Sequence, residues 1–127
     1  MEAVVIVTVL ALAQYMFFGI RVGAARQRCG IKAPATTGSP EFERVNRVHH
    51  NTLEQLIVLV PALWMYAHYV NPLWGAGMGV VYLIGRFIYD AEYRKDPATR
   101  TVGFTMSYLP GVVMSVWVLV VVVLSYL

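Results

Sequence analysis

Charge is what this sequence lacks most. Only 13% of its 127 residues are charged and 58% are hydrophobic, with a mean hydropathy of +0.60, whereas an ordinary soluble domain carries about 25% charged residues. Residues 3–20, AVVIVTVLALAQYMFFGI, hold no ionisable group except the Tyr15 phenol, and residues 101–127 hold no formal charge at all. Crossing the hydrocarbon core of a bilayer takes roughly 20 apolar residues. Both runs are long enough, which excludes an ordinary soluble core and predicts an integral membrane protein. Cysteine is also scarce: Cys29 stands alone, so no intrachain disulfide can form. Its place between Arg28 and Gly30 reads as that of an incidental thiol. Internal repeats, low-complexity tails and signs of a second domain are absent, and no metal or nucleic-acid partner is expected. Basic residues are missing before the first apolar run, where MEA is acidic, while Arg21, Arg26 and Arg28 follow it. A cleaved signal peptide has the opposite order, so the expectation is a retained helix with its amino terminus outside.

What is present divides into four apolar segments at about 3–25, 42–70, 73–94 and 102–127. They are joined by a basic loop, RQRCGIKAPATTGSPE at 26–41, a tight NPL turn at 71–73 and a short charged KDPATR at 95–100. Asn-Pro is a good turn initiator. Arginine and lysine cluster around the first and third loops and are missing from both termini and the middle turn. The positive-inside rule therefore places loops 26–41 and 95–100 in the cytoplasm and both termini outside. The expected fold is all-α, a single transmembrane domain over 1–127 built as an up-down-up-down four-helix bundle. Within it, Gly75 and Gly79 in GAGMG have a spacing that permits close helix contact. They do not make a dinucleotide fingerprint, because no strand precedes them and the third glycine is misplaced. Pro61 and Pro110 fall inside the second and fourth segments and are expected to bend them.

The charges that exist are placed unusually. FERVNRVHHNTLEQLIVLVP, residues 42–61, begins dense in charge and ends as nearly pure hydrocarbon. Arg44, Arg47, Asn51 and Glu54 are spaced three, four and three apart, which sets them on one helix face. His50 lies on much the same side and His49 points elsewhere. In the third segment, Arg86, Tyr89, Asp90 and Tyr93 form a second stripe beside VVYLIG. Ionised residues within a membrane cost roughly 2.5–3.5 kcal/mol at mid-depth and usually face a bundle interior or a watery cavity. Interfacial arginines snorkelling beside glutamate partners are the bland explanation, but Asn51 and the two tyrosines do not snorkel. Arg26, Arg44, Arg47, Arg86, Arg94 and Arg100 also outnumber Glu43, Glu54, Asp90 and Glu92 in the same half. Such a surplus fits a small ligand with carboxylates, which arginine's planar fork binds in pairs. Glu54 and Asn51 can receive an ammonium and an amide. Glutathione has that make-up.

FERVNRVHHNTLE, together with TTGSPEFERV before it and VYLIGRFIYDAEY at 81–93, resembles the signature of the MAPEG family, the membrane-associated proteins in eicosanoid and glutathione metabolism. The likeness runs over about 33–100, and the flanking helices agree in character. It is strongest to the microsomal glutathione transferase and leukotriene C synthase branch. The resemblance implies a homotrimer with glutathione bound between neighbouring subunits near the cytoplasmic side. By position it implies glutathione contacts at Arg47, Asn51 and Glu54 on the second helix, Arg86, Tyr89 and Tyr93 on the third, and Arg26 at the end of the first. It also implies that Arg100 stabilises the thiolate. His49, Gln55 and Gln27 depart from the leukotriene-forming enzyme, where glutamine, tyrosine and a second arginine stand, so the lipid substrate is open.

The expected chemistry is a membrane-bound glutathione transferase, with peroxidase activity as a further option, acting on hydrophobic electrophiles that arrive from the lipid. A free thiol has a pKa of about 8.5, and lowering it by two units takes roughly 2.7 kcal/mol of preference for the thiolate. One arginine aimed at sulfur in a shielded site can supply that. The alternative within the family is a non-catalytic glutathione- or lipid-binding scaffold. A proton-coupled drug transporter would need a carboxylate buried in the first helix, which holds only Glu2 at its tip. A haem carrier would need histidines facing each other across helices, whereas His49, His50 and His68 fall on one.

Overall fold

The computed structural model describes all residues, 1–127. It is entirely helical: α1 spans Glu2–Cys29, α2 Pro40–Tyr69, α3 Pro72–Lys95 and α4 Thr101–Tyr126, with one 3-10 turn at Pro97–Thr99. Three of these segments begin in the same way, with a short polar side chain followed by proline. Ser39 accepts from the Phe42 amide, Asn71 from the amides of Leu73 and Trp74, and Asp96 from that of Ala98. The oxygen satisfies amides that the first helical turn leaves free, and proline lacks the amide that would be stranded. α1 continues through Arg26 and Arg28, a turn past its apolar stretch, because nothing in AARQRC breaks a helix. It stops at Gly30, whose φ of 68° is left-handed and is adopted by glycine without the strain a Cβ brings. Pro61 and Pro110 lie inside continuous helices.

The short connections turn each helix back on the last. α2 and α3 pack against each other and against both α1 and α4. At one end, Val4, Val7 and Ala11 of α1 meet Leu59, Leu63 and Tyr66 of α2, Tyr82 of α3 and Met114 and Val118 of α4 in a single apolar core. At the other end the apolar clusters are small, Val22 with Ala25, Phe42 and Val45, and Phe18 with Val48 and Tyr89. Polar side chains occupy the space between them. α1 and α4 are long and apolar enough to cross a membrane, and only 33% and 28% of their most apolar stretches are buried inside the bundle. Their outward faces are therefore mostly hydrocarbon, as lipid contact requires. α2 and α3 carry their charges in the half next to loops 26–41 and 95–100.

Glycines set how closely the helices approach. A Cβ on Gly79 would run into Val7 of α1, and one on Gly75 would come within 3.2 Å of Leu63 and Tyr66 of α2, in keeping with the expected close contact. The tightest crossing lies elsewhere, between α3 and α4. A Cβ on Gly85 would sit 2.8 Å from the Ser107 amide nitrogen, and one on Gly103 would overlap the Tyr89 backbone. Backbone atoms cannot swing aside as side chains can. Gly103→Val is therefore expected to lower stability by about 1–3 kcal/mol, read as a lower thermal midpoint in detergent. Gly77→Ala is the control, since a Cβ there meets nothing within 4 Å; equal midpoints for the two variants would show that the α3–α4 crossing is not tight.

Candidate functional site

The polar half of the bundle contains two clefts. The first, of about 580 Å³, is lined by Arg47 and Asn51 of α2, Tyr89 and Tyr93 of α3, and Ala98, Arg100, Thr101 and Phe104 at the start of α4. That volume lies within the range of about 300–1,000 Å³ usual for small-molecule sites. One α2 turn separates Arg47 from Asn51, and both reach Glu54: Arg47 Nη1 donates to Oε1 at 3.2 Å and Asn51 Nδ2 to Oε2 at 3.4 Å. Asn51 is buried, and its Oδ1 accepts from no protein group. Such an atom can accept from a water or from a ligand N–H. The Tyr89 and Tyr93 rings stack at 5.4 Å along the α3 wall. Arg100 stands at the mouth, exposed, with Nη1 donating to the Pro97 carbonyl at 2.8 Å and no carboxylate in reach. The cleft thus joins a cation without a counter-ion, a second cation held by one carboxylate, and an unpartnered acceptor.

Arg86 was expected beside these residues and lies behind them. It is fully buried, beneath the Tyr89 ring with Cζ 4.3 Å from the centroid. Its Nη1 donates to Ser107 Oγ of α4 and its Nη2 to Thr52 Oγ1 of α2, each at 3.1 Å, while Nε is unpartnered. Each hydroxyl spends its own proton on a carbonyl one turn back, Ser107 on Gly103 and Thr52 on Val48, and so presents lone pairs to the guanidinium. Arg86 ties α2, α3 and α4 together and backs the tyrosine wall without lining the cleft.

The second cleft, about 460 Å³, opens between α1, α2 and α3 and is lined by Arg21, Ala24, Arg28, Glu41, Arg44, Val45 and Arg94. Arg44 was expected on the face of Arg47 and lies here instead, with Nη1 donating to the last carbonyls of α3, those of Arg94 and Lys95. Asp90 likewise leaves the Tyr89 stripe. Arg21 grips it with both Nη atoms and Arg94 with Nε and Nη2. Arg21 was not singled out from the sequence. Its signal was Asp90, a carboxylate deep on an apolar helix that needed a cation. Arg28 pairs with Glu41, and the hydrogen bond from Arg28, then its charge, holds the Glu41 carboxyl below the usual range.

The structure thus brings Arg47, Asn51, Tyr89, Tyr93 and Arg100 to one cleft, with Glu54 bonded to two of them. Arg26 is not among them: it donates to the Ala35 carbonyl at 2.7 Å and covers the Phe42 ring. His49 points to α1, where it stacks on Tyr15 at 4.4 Å. No group of three or more His, Cys, Asp or Glu stands close enough to hold a metal ion.

Comparison with known proteins identifies a family and several relatives. The family model described as "MAPEG family" matches residues 4–120. An uncharacterized protein of Synechocystis sp. is 42% identical over 111 residues, covering 87% of this chain and 81% of its own length. Microsomal glutathione S-transferase 2 of Homo sapiens is 38% identical over 101 residues, 80% of this chain and 69% of its own. Leukotriene C4 synthase of Bos taurus is 32% identical over 94 residues, 74% of this chain and 63% of its own.

Proposed function

The chain belongs to the MAPEG family, and from that premise we propose that it is a membrane-bound glutathione transferase. Its first cleft would hold the tripeptide and activate it as a thiolate for attack on a hydrophobic electrophile. The observation that carries this reading is the meeting of Arg47, Asn51, Tyr89, Tyr93 and Arg100 in one cleft of small-molecule size. Arg47 binds a glutathione carboxylate, Glu54 receives the ammonium, and the free Asn51 oxygen accepts an amide N–H. Tyr89 and Tyr93 flank the peptide, and Arg86 holds Tyr89 in place. Arg100, with no carboxylate of its own, turns from the Pro97 carbonyl to the sulfur. The thiolate attacks the electrophilic carbon, a C–S bond forms, and the leaving group departs with the electron pair or, for an epoxide, stays attached as an alkoxide that is then protonated.

Membership of the family suggests a homotrimer, and Arg26, which lies away from the cleft of its own chain, would then complete that of an adjoining subunit. Glutathione would then lie between subunits. In the same reading all four helices span the membrane, with the two clefts and loops 26–41 and 95–100 on the cytoplasmic side and both termini outside. Cys29, partly buried at the end of α1 with Sγ 3.6 Å from a Glu41 oxygen, reports this orientation. A thiol reagent that cannot cross the membrane should label it in inside-out vesicles and not in intact cells; labelling of intact cells would reverse the topology.

The test of function is conjugation of glutathione to a generic aryl halide by the purified protein, with its mass measured intact in detergent. A trimer with a glutathione-dependent rate above the buffer reaction is expected. A protein that binds glutathione and gives no rate is the non-catalytic scaffold, and a protein seen only as monomer or dimer removes the shared site.

A further inference from the structure

The second cleft shares no residue with the first and has no part in the chemistry above. Four guanidiniums, from Arg21, Arg28, Arg44 and Arg94, meet two carboxylates there, Glu41 and Asp90, which leaves two positive charges over. Asp90 is only 5% exposed and accepts from both of its arginines through both oxygens, so it is satisfied and fixes their guanidiniums in place. Arg44 faces only neutral carbonyls and keeps its charge for another partner. Ala24 and Val45, both small, leave the space between the cations open.

Position adds a second, independent indication. Arg21 is the first charged residue after the uninterrupted apolar run of α1. Immediately before it, Met16, Phe17 and Ile20 face outward, and Phe87 of α3 is exposed as well. The Arg21 guanidinium lies 5.4 Å from the rings of both Phe17 and Phe18. A cationic cleft therefore sits at the end of an outward apolar surface, at the depth where headgroups meet acyl chains in the membrane placement proposed above. Phosphate suits such a cleft, because guanidinium groups bind its oxygens in pairs, and the adjoining hydrocarbon suits the tails of the molecule that carries it.

We propose that the cleft between α1, α2 and α3 binds a phosphate anion through Arg21, Arg28, Arg44 and Arg94, supplied by the headgroup of an acidic phospholipid. A zwitterionic lipid brings a quaternary ammonium to the same surplus of cations and binds less well.

The test uses the intact protein in dodecyl maltoside. Phosphatidylglycerol, phosphatidylcholine and inorganic phosphate are titrated separately while the thermal midpoint is followed, and glutathione affinity is measured in parallel. Phosphatidylglycerol is expected to raise the midpoint saturably, with an apparent affinity at least tenfold above that of phosphatidylcholine. Arg44→Gln and Arg28→Gln, neither of which touches Asp90, should each lose most of that shift and keep wild-type affinity for glutathione. A saturable response to inorganic phosphate as well would support the phosphate site and show that the tails add little. Should either variant fail to fold, intact-mass measurement of the wild type decides, with one acidic phospholipid retained per chain expected. The proposal is overturned if the two lipids act alike, if both variants respond as wild type does, or if glutathione displaces the phosphatidylglycerol response. Loss of glutathione binding with the lipid response intact would count against the first cleft and leave this one standing.

Discussion

Arg100→Ala will slow conjugation at neutral pH by about 25-fold, the loss of thiolate expected when a thiol pKa returns from about 6.5 to about 8.5. The reasoning is electrostatic. Arg100 has no carboxylate partner and makes a single side-chain bond to a backbone carbonyl, so its charge is available to a developing anion. An interaction made only with the ionised sulfur changes the rate more than the affinity, and affinity at high pH, where the thiol ionises unaided, should be nearly that of the wild type. The linkage has a definite sign: the fold advantage of a depressed thiol pKa is fullest below the depressed value, shrinks between the depressed and ordinary values and vanishes above the latter, so the two enzymes converge as pH rises past about 8.5. Thiolate absorbance in the ultraviolet, followed through a pH titration of the glutathione complex, checks the cause. If wild type and variant titrate alike, Arg100 anchors a carboxylate and the activating charge lies elsewhere.

Arg47→Ala acts on binding. A hydrogen bond to a charged partner contributes about 1.5–3 kcal/mol, so glutathione affinity should fall roughly 10- to 150-fold. Arg47 already bonds Glu54 at 3.2 Å, so its removal also frees that carboxylate to repel the ligand's own, which moves the expectation towards the upper end. The pair is half exposed on both sides and adds little to stability; the thermal midpoint should hardly move. Calorimetry separates the two outcomes, and unchanged affinity would make the α2 stripe a structural feature only.

Much of this was legible from residue order alone. The charge-free runs mark α1 and α4, the Asn-Pro pair marks the turn into α3, and the 47–51–54 spacing brings three polar groups to one face. Spacing failed at Arg44 for a geometric reason. Three residues along a helix amount to a turn of about 60° short of a full circle, and α2 is flanked by α1 on one side and α4 on the other. A 60° step is then enough to move a side chain from one groove to the next. Asp90 left the Tyr89 face in the same way, since one residue is about 100°. Arg86 failed for another reason: its partners are hydroxyls of Thr52 and Ser107, which look like ordinary residues of apolar helices and give no charge signal. Arg26 lies apart because it bonds the Ala35 carbonyl and covers the Phe42 ring, contacts of the first loop that no helix spacing reveals.

The meeting of Gly103 with the Tyr89 backbone bears on how a ligand gets in. Backbone against backbone leaves α4 no room to tilt towards α3, and Arg86 stitches the same helices together from within. Tyr89 is consequently the anchored part of the cleft wall, and the parts freest to adapt are the exposed arms of Arg47 and Arg100. Exposed side chains change rotamer in picoseconds to nanoseconds, whereas packed helices shift in microseconds to milliseconds. In the function proposed above, admission to the cleft would wait on the faster movement, that of two exposed cations at its mouth.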